Sequence, residues 1–387
     1  MAEYRSERTA LLIISACMLY TVRMKTAVIG TGLIARTHVK ALRECGEEIV
    51  LVVGRTESSA ASFAAECGIP RHETKLTREN IGDAECIHIC TPPSLHYEAA
   101  KLCLEEEKHV VCEKPLSLEP REAAELKRLA ALHDDVVSAV VFNNRFYPAV
   151  RKIRSGAGKA DAGSLLFSCG HYFQEYDVLP APFSWRCDAG RPDSRFRAVS
   201  EIGSHIVDLL EFMTGERVEK VCAVFINPHR GRYLRGGVMY AEGQPAEKII
   251  VNNEDAASLM LRLQGGAAAN IMLSEISPGR SNDVSIELVY DSASFSWCSD
   301  RPYEVRTGRK GEGVCVTQDD FGGGFSTTFT DCFREVHACV AEHRKSSVLA
   351  SFADAAHVAI VCESIGRSAE RDGAWIDVRE VAREYEG

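Results

Sequence analysis

An apolar, β-branched run breaks at Gly30-Thr31-Gly32 and resumes as a helical pattern, and this junction constrains the fold more than any other feature. The stretch from Ala27 through Gly30, Thr31, Gly32, Leu33 and Ile34 to Ala35 fits G-x-G-x-x-G/A, with Ala35 in the last position. Gly30 permits a tight turn, Gly32 lets a pyrophosphate approach the backbone, and Ala35 lets the helix pack closely on its strand. The free N–H groups and dipole at the start of that helix favour an anion. Glycines also make ordinary turns, so the reading depends on the strand–loop–helix setting.

That setting recurs. Strands are predicted over Thr26–Ile29, Ile49–Val53, Cys86–Cys90, His109–Cys112 and Val136–Phe142, with helical spacing at Ala35–Cys45, Ser58–Cys67, Tyr97–Glu106 and Pro120–Leu132 between them. Continuously apolar strands joined by helices indicate a doubly wound parallel sheet, here over residues 24–145. Beyond it the pattern changes. Ser164–Phe173, Val218–Val224, Ala256–Leu263, Ala267–Leu273, Val284–Tyr290 and Ser294–Trp297 read as strands without regular crossover helices, and Gly265-Gly266 marks a hairpin. Residues 146–387 are therefore expected to form a second α/β domain with a large, mainly antiparallel open sheet. Helices at Glu201–Thr214, Ser326–Glu342 and Phe352–Arg371 cover it, the short strand Trp375–Val378 closes it, and Gly322–Gly324 is a flexible run.

Composition narrows the function. The 387 residues are 45% hydrophobic and 26% charged, enough for two folded cores. A net charge of −10 without a Lys/Arg run gives no reason to expect nucleic acid. Fifteen cysteines without a C-x-x-C pair suggest neither a disulfide framework nor a zinc ribbon, and point to a reducing cytoplasm. The apolar stretch Ala10–Tyr20 is too short to span a bilayer, and Glu3 and Glu7 dilute a signal-like basic region. Residues 1–23 read as an N-terminal extension preceding a start at Met24, and no membrane association is expected.

The end of the second strand bears on cofactor choice. Its loop reads Gly54-Arg55-Thr56, lacking the acid that usually binds the ribose of NAD. Arg55 could pair with the 2′-phosphate of NADP, or simply be an exposed loop arginine. The expectation is NADP or NAD, leaning to NADP.

Two clusters carry chemistry. Lys114 follows an apolar strand and precedes Pro115, at the carboxyl end of the parallel sheet where such folds bind ligands. It could stabilise charge on a reacting oxygen, or make a strand-end salt bridge with Glu113. Glu201 and His205 lie four apart on a predicted helix, with Asp208 three further on nearly the same face. His205 suits the base that a carbinol oxidation needs, and a neighbouring carboxylate would orient its ring. E-x3-H-x2-D also supplies acceptable metal ligands, but nothing else indicates a metal, and none is expected.

Six motifs in order resemble the Gfo/Idh/MocA oxidoreductases: AVIGTGLIA, CTPPSLH at 90–96, CEKP at 112–115, NNRFYP at 143–148, SWR at 184–186 and EIGSHIVDLL at 201–210. The resemblance covers about Lys25 to Val378 and implies a Rossmann domain followed by an α/β domain whose open sheet often mediates oligomerisation. It implies that Lys114 is catalytic and Glu113 lies near the nicotinamide. It implies a cofactor site including Thr91, Pro92, His96, Asn143, Trp185 and Arg186. Tyr172 and Gln174 are candidate substrate contacts, with Lys114, His205 and Asp208. The family usually has Asp where this chain has Glu201, which moves the carboxylate by about one bond length. The implied activity is hydride transfer between nicotinamide and a secondary alcohol or ketone of a sugar, sugar derivative or inositol, by a homodimer or homotetramer. Two rivals stay open: a redox-neutral glycosidase that retains NAD, and a non-catalytic NAD(P)-binding sensor.

Overall fold

The computed structural model describes residues 23–156, 161–188, 190, 195–243, 247–319 and 323–385. Nearly all of the expected N-terminal extension, Gly322, and parts of the loops at 176–193 and 317–327 fall outside the described residues.

The first half alternates as expected: β1 (Lys25–Ile29), α1 (Leu33–Glu44), β2 (Glu48–Val53), α2 (Glu57–Cys67), β3 (His72–Glu73), β4 (Cys86–Ile89), α3 (His96–Glu105), β5 (His109–Cys112), α4 (Pro120–Leu132) and β6 (Ser138–Val140). β1, β2, β4 and β5 are buried along nearly their whole length, which requires cover on both faces. A 3-10 turn over Asn143–Phe146 and the short helix α5 (Pro148–Arg154) lead out of this region.

The second half contains β7 (Leu165–Phe173), β8 (Ala181–Pro182), α6 (Ser204–Thr214), β9 (Val218–Ile226), β10 (Gly231–Arg235), β11 (Val238–Tyr240), β12 (Glu247–Ile250), β13 (Ala256–Leu263), β14 (Ala268–Ser274), β15 (Asp283–Tyr290), β16 (Ala293–Cys298), β17 (Glu304–Arg309) and β18 (Gly313–Gln318). It closes with α7 (Phe325–Glu342), β19 (Ala350–Ser351), α8 (Phe352–Ala369), β20 (Ile376–Asp377) and α9 (Val378–Arg383).

Three sheets result. The first runs β19-β6-β5-β4-β1-β2-β3 and is parallel except for its β19–β6 pair. The chain thus returns from its far end to add an edge strand to the first sheet. The second is nine-stranded, β18-β17-β16-β15-β7-β14-β13-β9-β20, with β7–β14 as its parallel pair. In β13 buried and exposed residues alternate, as expected of a sheet covered on one face. Trp297 is buried on the covered side against Tyr147 of the first connection, with ring centroids 5.0 Å apart. The third sheet, β12-β10-β11-β8, is small and antiparallel and has no counterpart in the expected strands. Buried Arg232 in β10 pairs with Asp255 just before β13 and ties this sheet to the large one.

Candidate active site

The glycine loop has the form its sequence implies. Gly30 adopts φ +116°, and a Cβ there would lie 2.5 Å from the Cys90 carbonyl oxygen. No other residue type fits that approach between β1 and β4. A Cβ on Gly32 would meet nothing within 4 Å, so its backbone borders open space. Gly32 caps α1 without a side-chain hydrogen bond, and Leu33 beside it is exposed, so the first helical N–H groups are free of side-chain partners. Ile34 is half-buried and Ala35 fully buried against the sheet. Thr31 borders the second loop: a Cβ on Gly54 would lie 3.0 Å from Thr31 Cγ2. Arg55 is exposed at that rim, and Thr56 caps α2 by accepting the Ser59 N–H at 3.2 Å. These groups fit a dinucleotide: free backbone N–H groups and a helix dipole for the pyrophosphate, and open space beside them.

Lys114 projects from the loop after β5, the neighbour of β4 in the same sheet. Its Nζ donates to the Glu201 carbonyl oxygen at 2.9 Å and to Glu201 Oε2 at 3.1 Å. Arg186 Nε approaches Glu201 Oε1 at 2.8 Å, and its guanidinium stacks on Trp185 at 4.4 Å. Burial alone would raise the Glu201 carboxyl, but Lys114 and Arg186 outweigh it and bring it down to about 2. Arg186 is held in turn by Asn253, whose amide donates to its carbonyl at 2.6 Å.

Glu201 sits in a π-helical turn, Val199–Gly203, that runs directly into α6. Such turns interrupt α-helical register and recur at functional sites. Gly203 allows this one to lie against the large sheet, since a Cβ would come 2.8 Å from Leu273 Cδ1. His205 follows, half-buried, with its ring 5.7 Å from Phe142 and 6.3 Å from Tyr172 between centroids. Its Nδ1 is buried without a partner, a polar atom turned to nothing in the protein. Burial, with Lys114 nearby, pulls its pKa down to about 3, against a smaller opposing effect of Glu201. The imidazole is neutral near pH 7 and able to accept a proton.

Residues 24–140 match the family described as "Oxidoreductase family, NAD-binding Rossmann fold", and residues 151–296 match the "GFO/IDH/MocA C-terminal domain". The chain belongs to the Gfo/Idh/MocA oxidoreductase family. Among its relatives, levoglucosan dehydrogenase of Pseudarthrobacter phenanthrenivorans is 27% identical over 329 residues, covering 78% of this chain and 81% of the relative. Glucose-6-phosphate 3-dehydrogenase of Bacillus subtilis is 26% identical over 280 residues, covering 72% and 75%. Against the Xenopus tropicalis glucose-fructose oxidoreductase domain-containing protein 2 the match is 27% over 255 residues, or 65% of this chain and 62% of that protein. The solved structure of levoglucosan dehydrogenase with NADH and L-sorbose superposes with TM-score 0.82 at 23% identity, covering 92% of this chain and 99% of that one.

Within that family framework, four residues expected at the site do other work. Asp208 does not face Lys114: its oxygens accept from Arg145 at 2.6 and 2.9 Å, both partners buried. Helical spacing placed it on the right side of α6, but a guanidinium from the 3-10 turn claims it. His96 has no exposed surface, and its ring nitrogens lie 2.7 Å from the Pro115 oxygen and 2.8 Å from the Thr91 oxygen. It clasps the CTPPSLH loop to the CEKP loop. Asn143 is likewise buried and donates to Thr328 at 2.9 Å. Glu201 bonds Lys114 and Arg186, not His205, because the π turn breaks the four-residue alignment expected of an α-helix.

The others keep positions consistent with a site. Pro92 is exposed and Thr91 Oγ1 is buried without a partner near the mouth of the glycine loop. Glu113 accepts the Lys114 N–H at 3.2 Å. Tyr172 and Gln174 are buried and both donate to Asn282 Oδ1, the tyrosine at 3.0 Å. Asn282 was not foreseen: it adopts φ +56°, and its amide donates to the Tyr176 hydroxyl at 3.2 Å. Among the described residues no group of three or more His, Cys, Asp or Glu is placed to hold a metal.

Proposed function

We propose that this oxidoreductase interconverts a secondary alcohol and ketone on a sugar, sugar derivative or inositol, with NADP or NAD as the hydride carrier. The observation that carries the reading is the convergence of Lys114, Glu201 and His205 at the carboxyl end of the parallel sheet, beside a glycine loop shaped for a dinucleotide. The names of its relatives, levoglucosan dehydrogenase, glucose-6-phosphate 3-dehydrogenase and 1,5-anhydro-D-fructose reductase, support the substrate class. A bound nicotinamide supplies the hydride acceptor in oxidation or its donor in reduction. Lys114 donates to the reacting oxygen and stabilises the charge that develops there. Neutral His205 takes the hydroxyl proton in oxidation and returns it in reduction. Glu201 holds Lys114 and Arg186 in place, and Tyr172 and Gln174, fixed by Asn282, form a polar wall for the substrate hydroxyls. Turnover with a panel of sugars and polyols, monitored as reduced nicotinamide, tests the assignment. Release of an aglycone without net cofactor reduction would instead favour the glycosidase reading, and binding without turnover the sensor.

The NADP preference rests on Arg55 at the rim of the second loop and on the absence of an acid at residues 54–56. Arg55→Ala is expected to weaken NADPH binding about tenfold, the scale of one charge-assisted contact, and to leave NADH unchanged. Equal loss for both cofactors, measured by fluorescence titration, would remove the phosphate role.

The division proposed is a cofactor domain over 24–145 and a substrate and oligomerisation domain over 146–387. The open face of the large sheet carries exposed Phe167, Val224, Met260, Val314 and Val316, which the strand register places on one side. Such a face suits a second copy of the chain in a homodimer or homotetramer. Met260→Glu is expected to convert the oligomer to monomer in light scattering, and an unchanged mass would exclude this face. A cytoplasmic location is proposed because the described cysteines are all free. No helix among the described residues is long and apolar enough to cross a membrane.

A further inference from the structure

Behind Lys114 runs a chain of buried groups that the hydride chemistry does not itself touch. His88 lies within β4, His38 in the second turn of α1, and Glu113 at the end of β5; all three are buried, His38 completely. His38 Nδ1 lies 3.0 Å from His88 Nδ1, and His38 Nε2 lies 3.0 Å from Glu113 Oε1. The other Glu113 oxygen accepts the Lys114 N–H at 3.2 Å. From α7, Phe333 covers the two imidazoles at centroid distances of 4.8 and 4.6 Å, and Phe329 packs on His38 at 5.8 Å.

Hydrogen-bond valence constrains this chain. Facing ring nitrogens share a hydrogen bond only when one carries the proton, and a neutral imidazole has a single N–H. An ionised carboxylate only accepts, so His38 donates to Glu113 from Nε2. The remaining bond joins His38 Nδ1 and His88 Nδ1, one of which carries the proton. Burial, with His38 alongside, keeps His88 well below its ordinary pKa and therefore neutral. Glu113 thus accepts from His38 on one oxygen and from the Lys114 N–H on the other. All three side chains are buried, so the bonds within the cluster are the ones that satisfy them.

We infer that His38 is a positioning residue: it fixes the Glu113 carboxylate, and through it the Lys114 peptide and the reach of Lys114 Nζ toward Glu201 and the substrate. Because His38 belongs to α1, it also locks the helix that presents the glycine loop to the peptide that presents the catalytic lysine. The inference rests on the catalytic role proposed for Lys114.

Three variants separate positioning from mere filling of space. His38→Gln keeps an N–H near the Nε2 position, His38→Asn keeps a polar group only near Nδ1, and His38→Leu keeps the volume alone. The expected order of kcat is wild type, then Gln within about threefold, then Asn and Leu down by about 10- to 100-fold, the scale of a small misplacement at a reacting centre. NADPH and NADH dissociation constants should stay within about threefold throughout, since His38 bonds neither the glycine loop nor the Gly54–Thr56 loop. Hydrogen exchange at the Lys114 amide, followed by mass spectrometry, gives a readout independent of turnover. Its protection should fall in the Leu and Asn variants and persist in Gln. Equal loss or equal retention of kcat in all three, or unchanged amide protection in His38→Leu, would overturn the inference. Absence of turnover in the wild type would overturn the proposed activity instead, and the exchange measurement would still decide the role of His38.

Discussion

His205→Asn is expected to lower kcat by about 100- to 10,000-fold, the usual contribution of a positioned acid–base group, with cofactor affinity little changed. Asn keeps a comparable polar side chain but cannot accept and hold the hydroxyl proton. The wild-type ring is neutral because burial, then Lys114, brings it to about 3 from an ordinary 6.5. The free protein should therefore show no acid limb near pH 6.5 in kcat/KM arising from this residue. The same shift predicts a stability effect. The unfolded chain takes up a proton at position 205 near 6.5, while the folded chain refuses it until about 3. Unfolding thus binds the proton, and stability falls as pH drops through that window, by at most about 1.4 kcal/mol per pH unit from this group. Glu201 acts in the same direction lower down: ionised in the fold to about 2 against an ordinary 4.5, it loses its stabilising contribution as pH falls below that ordinary value. Urea unfolding of wild type and His205→Asn at successive pH values checks this. The variant should lose acid sensitivity between about pH 6.5 and 4. Parallel curves would show that His205 titrates normally.

Lys114→Met is expected to cost about 100- to 1,000-fold in kcat, comparable to removing one donor from a developing oxyanion. Methionine preserves most of the stem, so the loss reports Nζ rather than packing. Two secondary shifts follow from the same geometry. Lys114 is the strongest attraction holding Glu201 ionised and the main charge depressing His205. Without it, both pKa values should move up, which NMR titration of the His205 ring would register directly. A variant that loses activity while the His205 titration stays put would separate Lys114 from the cluster. Arg186, still 2.8 Å from Glu201, would keep the carboxylate paired and the fold intact.

Much of the architecture could be read from residue patterns because burial dictated them. β1, β2, β4 and β5 are mostly apolar since both faces are covered, and β13 and β14 alternate around Gly265-Gly266 since one face is open. The sheet of β8 and β10–β12 left no such trace. Its strands have two to five residues, and Arg232 is buried on an ion pair with Asp255 instead of an apolar side chain. The site divides the same way. Motifs located the right loops, but not which side chains turn inward. His96 and Asn143 stand beside the cofactor loops yet spend their polar atoms on protein partners. Asp208 is claimed by Arg145, sixty-three positions away in sequence, a pairing that helical spacing on α6 cannot reveal. The π turn before α6 is invisible to periodicity, and it moves Glu201 from His205 to Lys114. Asn282 gave no local signal because its role comes from contacts with strand β7.

The most direct test of the central claim is hydride transfer itself. Purified protein would be mixed with NADP or NAD and a panel of sugars and inositols, alongside Lys114→Met and His205→Asn. The account predicts reduced nicotinamide formed with at least one neutral sugar or polyol in the wild type, and a loss of two or more orders of magnitude in both variants. Cofactor binding without reduction by any member of the panel, or turnover that survives both substitutions, would contradict it.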